Sequence, residues 1–346
     1  QCSVQRIKLS MIEDTIFSAK LGSVLGPLLF LIYINDFPCS TDFESFLFAD
    51  DTSLFLSGSS LESLKSKAQT ELYRVEEWFK ANKMQLNSKK TRFILFNLSK
   101  TKRIEAFEIE LGGEKLMRVS DTADEKFVRL VGVLIDEEFS FRHHVSHIKA
   151  KLSSVNFIIA RSRNVLPPDI RMLVYNSLVK SVLEFACVLY GAARKGVVGV
   201  LETVQKKIIR NVKGVRNRAH TNSLFLELGV LKFKDLVEYN SRIVGHGIWH
   251  NTLPANIRSD FEKVTSIGRE TRAMVAMNLR VPFCKKKFLE SAPCFTVPSA
   301  WNGVDTELKS HVKIKTFKKA LRKNYFESYR REPKCTRKGC YSCARS

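Results

Sequence analysis

Two adjacent carboxylates, Asp50 and Asp51, interrupt the apolar stretch FLFADDTSLF at residues 46–55. Burying a carboxylate is costly unless a cation or hydrogen-bond donors compensate it. Acids between two apolar arms therefore either sit in an exposed turn or hold a metal ion. Neighbouring side chains on an extended strand point to opposite faces, so one acid can meet a metal while the other steadies the turn. Mg²⁺ suits such a place, because it takes a few carboxylates and completes its shell with water and substrate phosphates. Two divalent ions about 4 Å apart, held by carboxylates, can activate an attacking hydroxyl and stabilise a leaving pyrophosphate. An exposed turn would carry the same dipeptide, so the surroundings must decide.

A second constellation is Cys335-x4-Cys340-x2-Cys343 near the C-terminus. The x2 spacing suits Zn²⁺, but a structural zinc site needs four ligands. His311 or Cys294 could supply the fourth, and scattered free thiols account for the same residues. His143, His144 and His147 fall on one expected helix, and His246 and His250 are four apart. Both groups have ligand-like spacing, yet a solvated helix face explains them more simply. Trp249 and Trp301 could stack on nucleic-acid bases, and packing in a core accounts for them equally well.

The elements that would position these residues follow from hydrophobic period and turn chemistry. Residues 5–18 alternate as two strands and a turn. Pro27 suits the first turn of a helix, and PLLFLIYI (27–34) reads as its buried body. Residues 43–58 read as a β-hairpin with the acids at or near its turn. Ser59 followed by Glu62 resembles a capping box. Leu61, Leu64, Ala68, Leu72, Val75 and Phe79 then repeat at helical spacing. Further strands are expected over 91–97 and 128–136, with a hairpin over 107–116 turning at Gly112-Gly113. Beyond residue 140 the pattern becomes helical. Helices are expected over 143–163, about 169–190 after Pro167-Pro168, 201–212, 234–251 and 312–330. Residues 262–300 show no period and receive no assignment.

Lys and Arg number 57 against 35 Asp and Glu, a formal net charge of +22. The charge is unevenly placed: residues 1–140 carry −3 and residues 141–346 carry +25. Such asymmetry suggests chemistry in the first part and polyanion binding in the second. A hydrophobic content of 44% argues against a disordered chain. No signal peptide is visible, so the eight cysteines do not read as a disulfide framework. The longest apolar run is far short of the roughly 20 residues a membrane helix needs. The expectation is an intracellular protein of nucleus and cytoplasm, without a membrane partner. The chain opens on Gln1 rather than Met and is expected to be the C-terminal part of a longer protein.

GSVLGPLLFLIYINDF followed by FLFADDTSLF resembles the reverse transcriptases of non-LTR retrotransposons, especially jockey-like LINE elements. The order of the segments carries the likeness. MQLNSKKTRFILF (84–96) is similar to the family's Leu-Asn-x-x-Lys-Thr segment, and VRLVGVLIDEEFSFRHHVSHI (128–148) to its strand entering the thumb. APCFTVPSAWNGV (292–304) and CTRKGCYSC (335–343) are similar to the tails of such elements. The resemblance implies an α+β fold: a partial polymerase palm over 1–140, in which helices cover an antiparallel sheet. A mostly α-helical thumb would follow over 141–260, and a basic C-terminal region with a Cys-rich tail over 261–346. It implies Asp50 and Asp51 as catalytic, Mg²⁺-binding acids, and Gly22 and Ser23 against nucleotide and template. It places Lys90 near the nucleotide phosphates and Leu130, Val131 and Gly132 at the primer grip. Without the family, Lys90 reads as a solvated surface lysine. The implied partners are an RNA template, a DNA primer and dNTP.

Departures accompany the likeness. Ser18-Ala19-Lys20-Leu21 stands where the family has Gly-Val-Pro-Gln. The family's other catalytic Asp belongs to an upstream strand that the chain begins too late to include, and Asp14 lacks its context. The leading expectation is an RNA-directed DNA polymerase whose isolated chain is inactive. The alternative is a catalytically inactive remnant that binds RNA or DNA. A metal-dependent nuclease would need a further acid or histidine cluster, which does not follow the Asp pair.

Overall fold

The computed structural model describes residues 25–49, 51–88, 90–96, 107–119, 126–216, 218–264, 276–283 and 290–331, with the backbone alone for 5–12 and 289. It mixes helices with small sheets, an α+β composition. The chain divides into two compact units, Gln1–His143 and His144–Ser346.

The first unit is built on a five-stranded sheet of order β2-β3-β1-β4-β7. The strands are β1 (Gln5–Ile12), β2 (Glu44–Phe48), β3 (Asp51–Gly58), β4 (Arg92–Phe96) and β7 (Met117–Arg118). All neighbours are antiparallel except β4 and β7. Ahead of β2 lies helix α1 (Gly26–Tyr33). Helix α2 (Leu61–Ala81) covers one face of the sheet with Leu64, Ala68, Leu72, Val75 and Phe79, all buried. These meet Leu54, Phe93 and Leu95 in one core. The helix starts one residue later than its sequence suggests. Ser60, not Ser59, caps it, its hydroxyl accepting from the Ser63 amide at 3.2 Å. Between β4 and β7, β5 (Glu110–Leu111) and β6 (Glu114–Lys115) join through Gly112 and Gly113, both at positive φ. This is the turn the Gly-Gly pair foretells.

The segment leading into β2 is anchored on α2. Phe37 meets the rings of Trp78 and Phe79 edge-on at 5.1 and 5.2 Å. The buried Glu71 carboxylate accepts from Thr41 Oγ1 at 2.8 Å and from the Asp42 amide at 2.7 Å. It is also paired with Arg74 at 2.9 Å.

Helix α1 corrects the expectation of a buried helix. None of its residues is buried, and Leu28, Leu29, Leu31 and Ile32 are all more than half exposed. The segment is apolar all round, so its composition could not say which side meets a neighbour. Only Phe30 and Tyr33 pack against the core, followed by the buried Ile34 and Phe37. Residues 128–136 correct a second expectation. They are a hairpin, β8 (Val128–Leu130) and β9 (Val133–Ile135), not one strand.

The second unit is helical and contains most of α3 (Arg142–Arg161). After Pro167 the chain forms α4 (Pro168–Val174), a π-helical stretch (Tyr175–Lys180) and α5 (Ser181–Glu184). Ala186, at φ +52°, breaks the run before α6 (Cys187–Tyr190). Helix α7 (Lys195–Lys213) is longer than expected, since its first turns carry glycines that mask the period. Then come α8 (Asn222–Glu227), α9 (Phe233–Trp249), α10 (Ala255–Arg258), α11 (Pro293–Asn302), α12 (Thr306–Lys309) and α13 (Ile314–Arg331).

Helix α11 lies in the stretch left unassigned, where Pro298 hides the helical pattern. Its Trp301 is fully buried and donates from Nε1 to Met277 O at 2.8 Å. Helix α9 accepts it at Gly245, where a Cβ would lie 2.7 Å from the Trp301 Cβ. Trp249 is only half-buried, with the Lys263 ammonium 5.5 Å from its ring centre.

Two histidines expected on solvated faces are in the core. His144 meets Tyr190 edge-on at 4.9 Å, and His246 stacks on Phe317 at 4.6 Å. A neutral imidazole packs as an aromatic ring, which spacing alone does not reveal. Burial, then the charges of His147 and Lys151, push the His144 pKa down to about 4. Burial also lowers that of His246.

Two expectations follow. Glu71→Ala leaves two donors without their acceptor and should cost about 2–3 kcal/mol, read as a lower denaturation midpoint. His144 should make stability depend on acid. The unfolded imidazole, near its usual pKa of about 6.5, takes a proton first as pH falls. Its contribution is thus whole above that value and is lost as pH falls toward the folded value, up to about 3 kcal/mol. Melting temperature should fall between pH 7 and 4.5, less steeply in His144→Phe.

Candidate active site

The acidic dipeptide lies at a tight hairpin. Phe48 on β2 pairs with Asp51 on β3, so Ala49 and Asp50 form the whole connection. Such a two-residue loop favours residues that tolerate positive φ. Ala49 has φ +52° although it is not glycine. Asp51 is the first residue of β3, partly exposed, and faces Ile12 of β1 on its other side. Among the described residues no hydrogen bond or ion pair occupies its carboxylate. Thr52, which follows, is fully buried, and its Oγ1 has no hydrogen-bond partner among the described residues. Asp50 itself lies outside the described residues.

Register shows which other residues share this end of the sheet. Ser10 of β1 faces Ser53 of β3 on one side and Arg92 of β4 on the other. β3 and β4 therefore run the same way, and both begin at the same end. Lys90 precedes β4 by two residues, so it stands at the end where Asp51 stands, across β1. Two strand spacings separate them, about 10 Å. Lys90 is exposed, and its backbone amide donates to Asn87 Oδ1 at 3.1 Å in the turn before β4. Arg92, half-exposed at the same end, was passed over in the sequence. Its place beside Lys90 in SKKTR was the available signal.

Leu130, Val131 and Gly132 occupy the β8–β9 hairpin. Val131 at φ +43° and Gly132 at φ +85° make its two-residue turn. Positive φ is natural for glycine and strained for a β-branched residue. The hairpin is braced beyond its strands. Arg118 donates to Glu137 at 2.9 Å, and Phe96 stacks on Phe139 at 4.3 Å. The buried Asp136 carboxylate accepts from the Ser140 amide at 2.8 Å and the Ser140 hydroxyl at 2.9 Å, closing the turn before α3.

Gly22, Ser23, Cys335, Cys340 and Cys343 lie outside the described residues. His311 and Cys294 are described, and no group of three His, Cys, Asp or Glu with metal-binding geometry occurs among the described residues. No helix among them is long and apolar enough to cross a membrane.

Three features of the first unit bear on function: an acid at a tight hairpin, a lysine at the same sheet end and a braced second hairpin. Residues 17–141 match the family model described as reverse transcriptase (RNA-dependent DNA polymerase). More particularly, the chain is similar to polymerases of non-LTR mobile elements. It is 25% identical over 229 residues to the RNA-directed DNA polymerase from mobile element jockey of Drosophila melanogaster, covering 63% of this chain and 24% of that protein. The probable RNA-directed DNA polymerase from transposon X-element of the same organism is 24% identical over 230 residues, covering 64% and 24%. The jockey polymerase of Drosophila funebris is 24% identical over 243 residues, covering 65% and 25%. The chain thus spans about a quarter of the length of these relatives.

The strained turn gives a stability test. Val131→Asn should raise the denaturation midpoint by up to about 1 kcal/mol, since asparagine accepts positive φ more readily. Gly132→Val, which forces a branched side chain to φ +85°, should lower it by roughly 1–3 kcal/mol.

Proposed function

We propose that this chain supplies the acidic hairpin and downstream parts of an RNA-directed DNA polymerase of a non-LTR mobile element. The reaction joins a dNTP to the 3′ end of a DNA primer under the direction of an RNA template. The observation that carries the reading is the register-locked hairpin. It presents Asp51 at the sheet end shared with Lys90, within the stretch matched to the reverse transcriptase family.

The donor set fits Mg²⁺. Asp51 offers hard oxygen atoms, partly exposed and not engaged by other described residues, and Asp50 precedes it in the sequence. Asp50 and Asp51 would hold the metal, which when bound offsets the negative charge gathered on the nucleotide phosphates. The remaining work falls to the protein. Lys90 brings a compact positive charge toward those phosphates. Leu130, Val131 and Gly132 hold the primer strand on a stiff hairpin, and Gly22 and Ser23 lie against nucleotide and template. In this reading 1–140 is a partial palm, 141–260 the thumb and 261–346 a basic region.

The family's chemistry calls for a further catalytic Asp beside this pair, and in this reading the stretch by itself extends a primer weakly or not at all. A second reading, an inactive RNA- or DNA-binding remnant, is favoured by the +25 charge of residues 141–346, which serves binding whether or not chemistry occurs.

Primer extension on poly(rA)/oligo(dT) with Mg²⁺ separates the two. The protein to compare is this chain alone, the chain joined to the upstream part of its element, and the joined form with Asp51→Asn. Extension by the joined form, reduced at least about 100-fold by Asp51→Asn, is the expected outcome. No extension by any form, with nucleic-acid binding intact, would leave the second reading.

A further inference from the structure

The basic residues of the second unit are not spread evenly over its helices. Helix α13 carries seven, Lys315, Lys318, Lys319, Arg322, Lys323, Arg330 and Arg331, against one acid, Glu327. Its opposite stripe is firmly seated. Phe317, Leu321, Tyr325 and Tyr329, spaced by four, are all buried. Phe317 stacks on His246, the Tyr329 hydroxyl accepts from the Lys232 amide at 2.9 Å, and it donates to Asp235. The cations therefore stand on a rigid support.

They also have different employment along the helix. Arg322 donates to Gly229 O and lies over the Phe326 ring at 5.4 Å, and Lys323 is 3.8 Å from Glu327. Toward the C-terminal half, Asp305, Glu327 and Arg331 line one shallow depression. Lys315, Lys318 and Lys319 are exposed and have no ion pair among the described residues. Lys313, also exposed, precedes them.

Helix stability does not account for these lysines. The macrodipole makes cations unfavourable near a helix start, and the first turn holds no acid to offset them. Lys315 and Lys319 are four apart, where like charges repel. A repulsive cluster on a rigid element fits a polyanion that supplies the missing negative charge.

We propose that the Lys315–Lys318–Lys319 face of α13 is a docking surface for the phosphate backbone of nucleic acid, separate from the acidic hairpin and indifferent to base sequence. Lys315 and Lys319 are about 6 Å apart along the helix axis, close to the spacing of successive phosphates on an extended strand. An anionic membrane would want the same charge. An interfacial helix, however, must also bury an apolar face in the lipid, and the apolar face of α13 is occupied within the fold. The proposal rests on the nucleic-acid reading above but not on catalysis.

The test is fluorescence anisotropy of the whole chain with a labelled RNA strand and a DNA duplex of about 20 base pairs, over a range of KCl, in EDTA and without dNTP. Four forms are compared: wild type, Lys315→Gln/Lys318→Gln/Lys319→Gln, Lys315→Arg/Lys318→Arg/Lys319→Arg, and Lys65→Gln/Lys67→Gln/Lys80→Gln. The last removes equal charge from exposed positions on α2. The α13 triple variant should bind at least about tenfold more weakly near 0.1 M salt, with the log–log salt slope reduced by about 2–3. The α2 variant should change less than about threefold, and Lys→Arg at the three α13 positions should retain binding.

Equal weakening by both glutamine variants would mean a net-charge effect and would overturn the proposal. So would unchanged binding by the α13 variant, or wild-type capture by phosphatidylserine vesicles without nucleic-acid binding. A melting temperature matched to wild type shows that loss of binding is not loss of fold. Because no extension is measured, failure here leaves the polymerase reading standing, and a failed extension leaves this one standing.

Discussion

Strand β3 is locked in register on both sides, and the placement of Asp51 follows from that lock. Phe48↔Asp51 on one flank and Ile12↔Asp51 on the other leave no room for a one-residue slip. A slip would exchange the two faces of the strand, sending Leu54 to the other side of the sheet. The core between sheet and α2 therefore holds the hairpin turn at the sheet end as firmly as the turn itself does. Glu71 and Phe37 extend the lock upstream, tying the approach to β2 onto the same helix.

Two tight turns of the first unit are strained. Ala49 and Val131 sit at positive φ in two separate two-residue turns, and Thr52 keeps a buried hydroxyl without a partner among the described residues. Each departs from what stability alone would choose. Lys83, Phe139 and Phe141 of the same unit also hold positive φ, beside regular features: a Gly-Gly turn, a serine cap and an amphipathic helix over a sheet.

The two units divide the electrostatic work. The first, close to neutral overall, exposes its carboxylate at a turn. The second carries the positive charge, and its helices still bury basic and imidazole groups where the packing accepts them. Lys309 shows how: its ammonium is enclosed by Ala276 O, Asn278 Oδ1 and Asn302 O, with no carboxylate among these acceptors. Its charge belongs to the fold, whereas those of Lys315, Lys318 and Lys319 face outward. A residue count cannot tell the two kinds apart.

The sequence by itself determined the hairpin around Ala49-Asp50, the buried stripe of α2, the Gly112-Gly113 turn and the charge asymmetry. These depend on neighbours along the chain, on period and turn chemistry, which a linear reading contains. It also determined the order of segments shared with reverse transcriptases. Tertiary structure decided what depends on distant partners. It left α1 with its leucines exposed and drew His144 and His246 into the core. It joined Trp301 to Gly245 across a stretch where Pro298 erases the helical period. It also set Lys90 at the same sheet end as Asp51, because β1 pairs with both β3 and β4. Strand pairing and side-chain contact are non-local, and no spacing within a single segment encodes them.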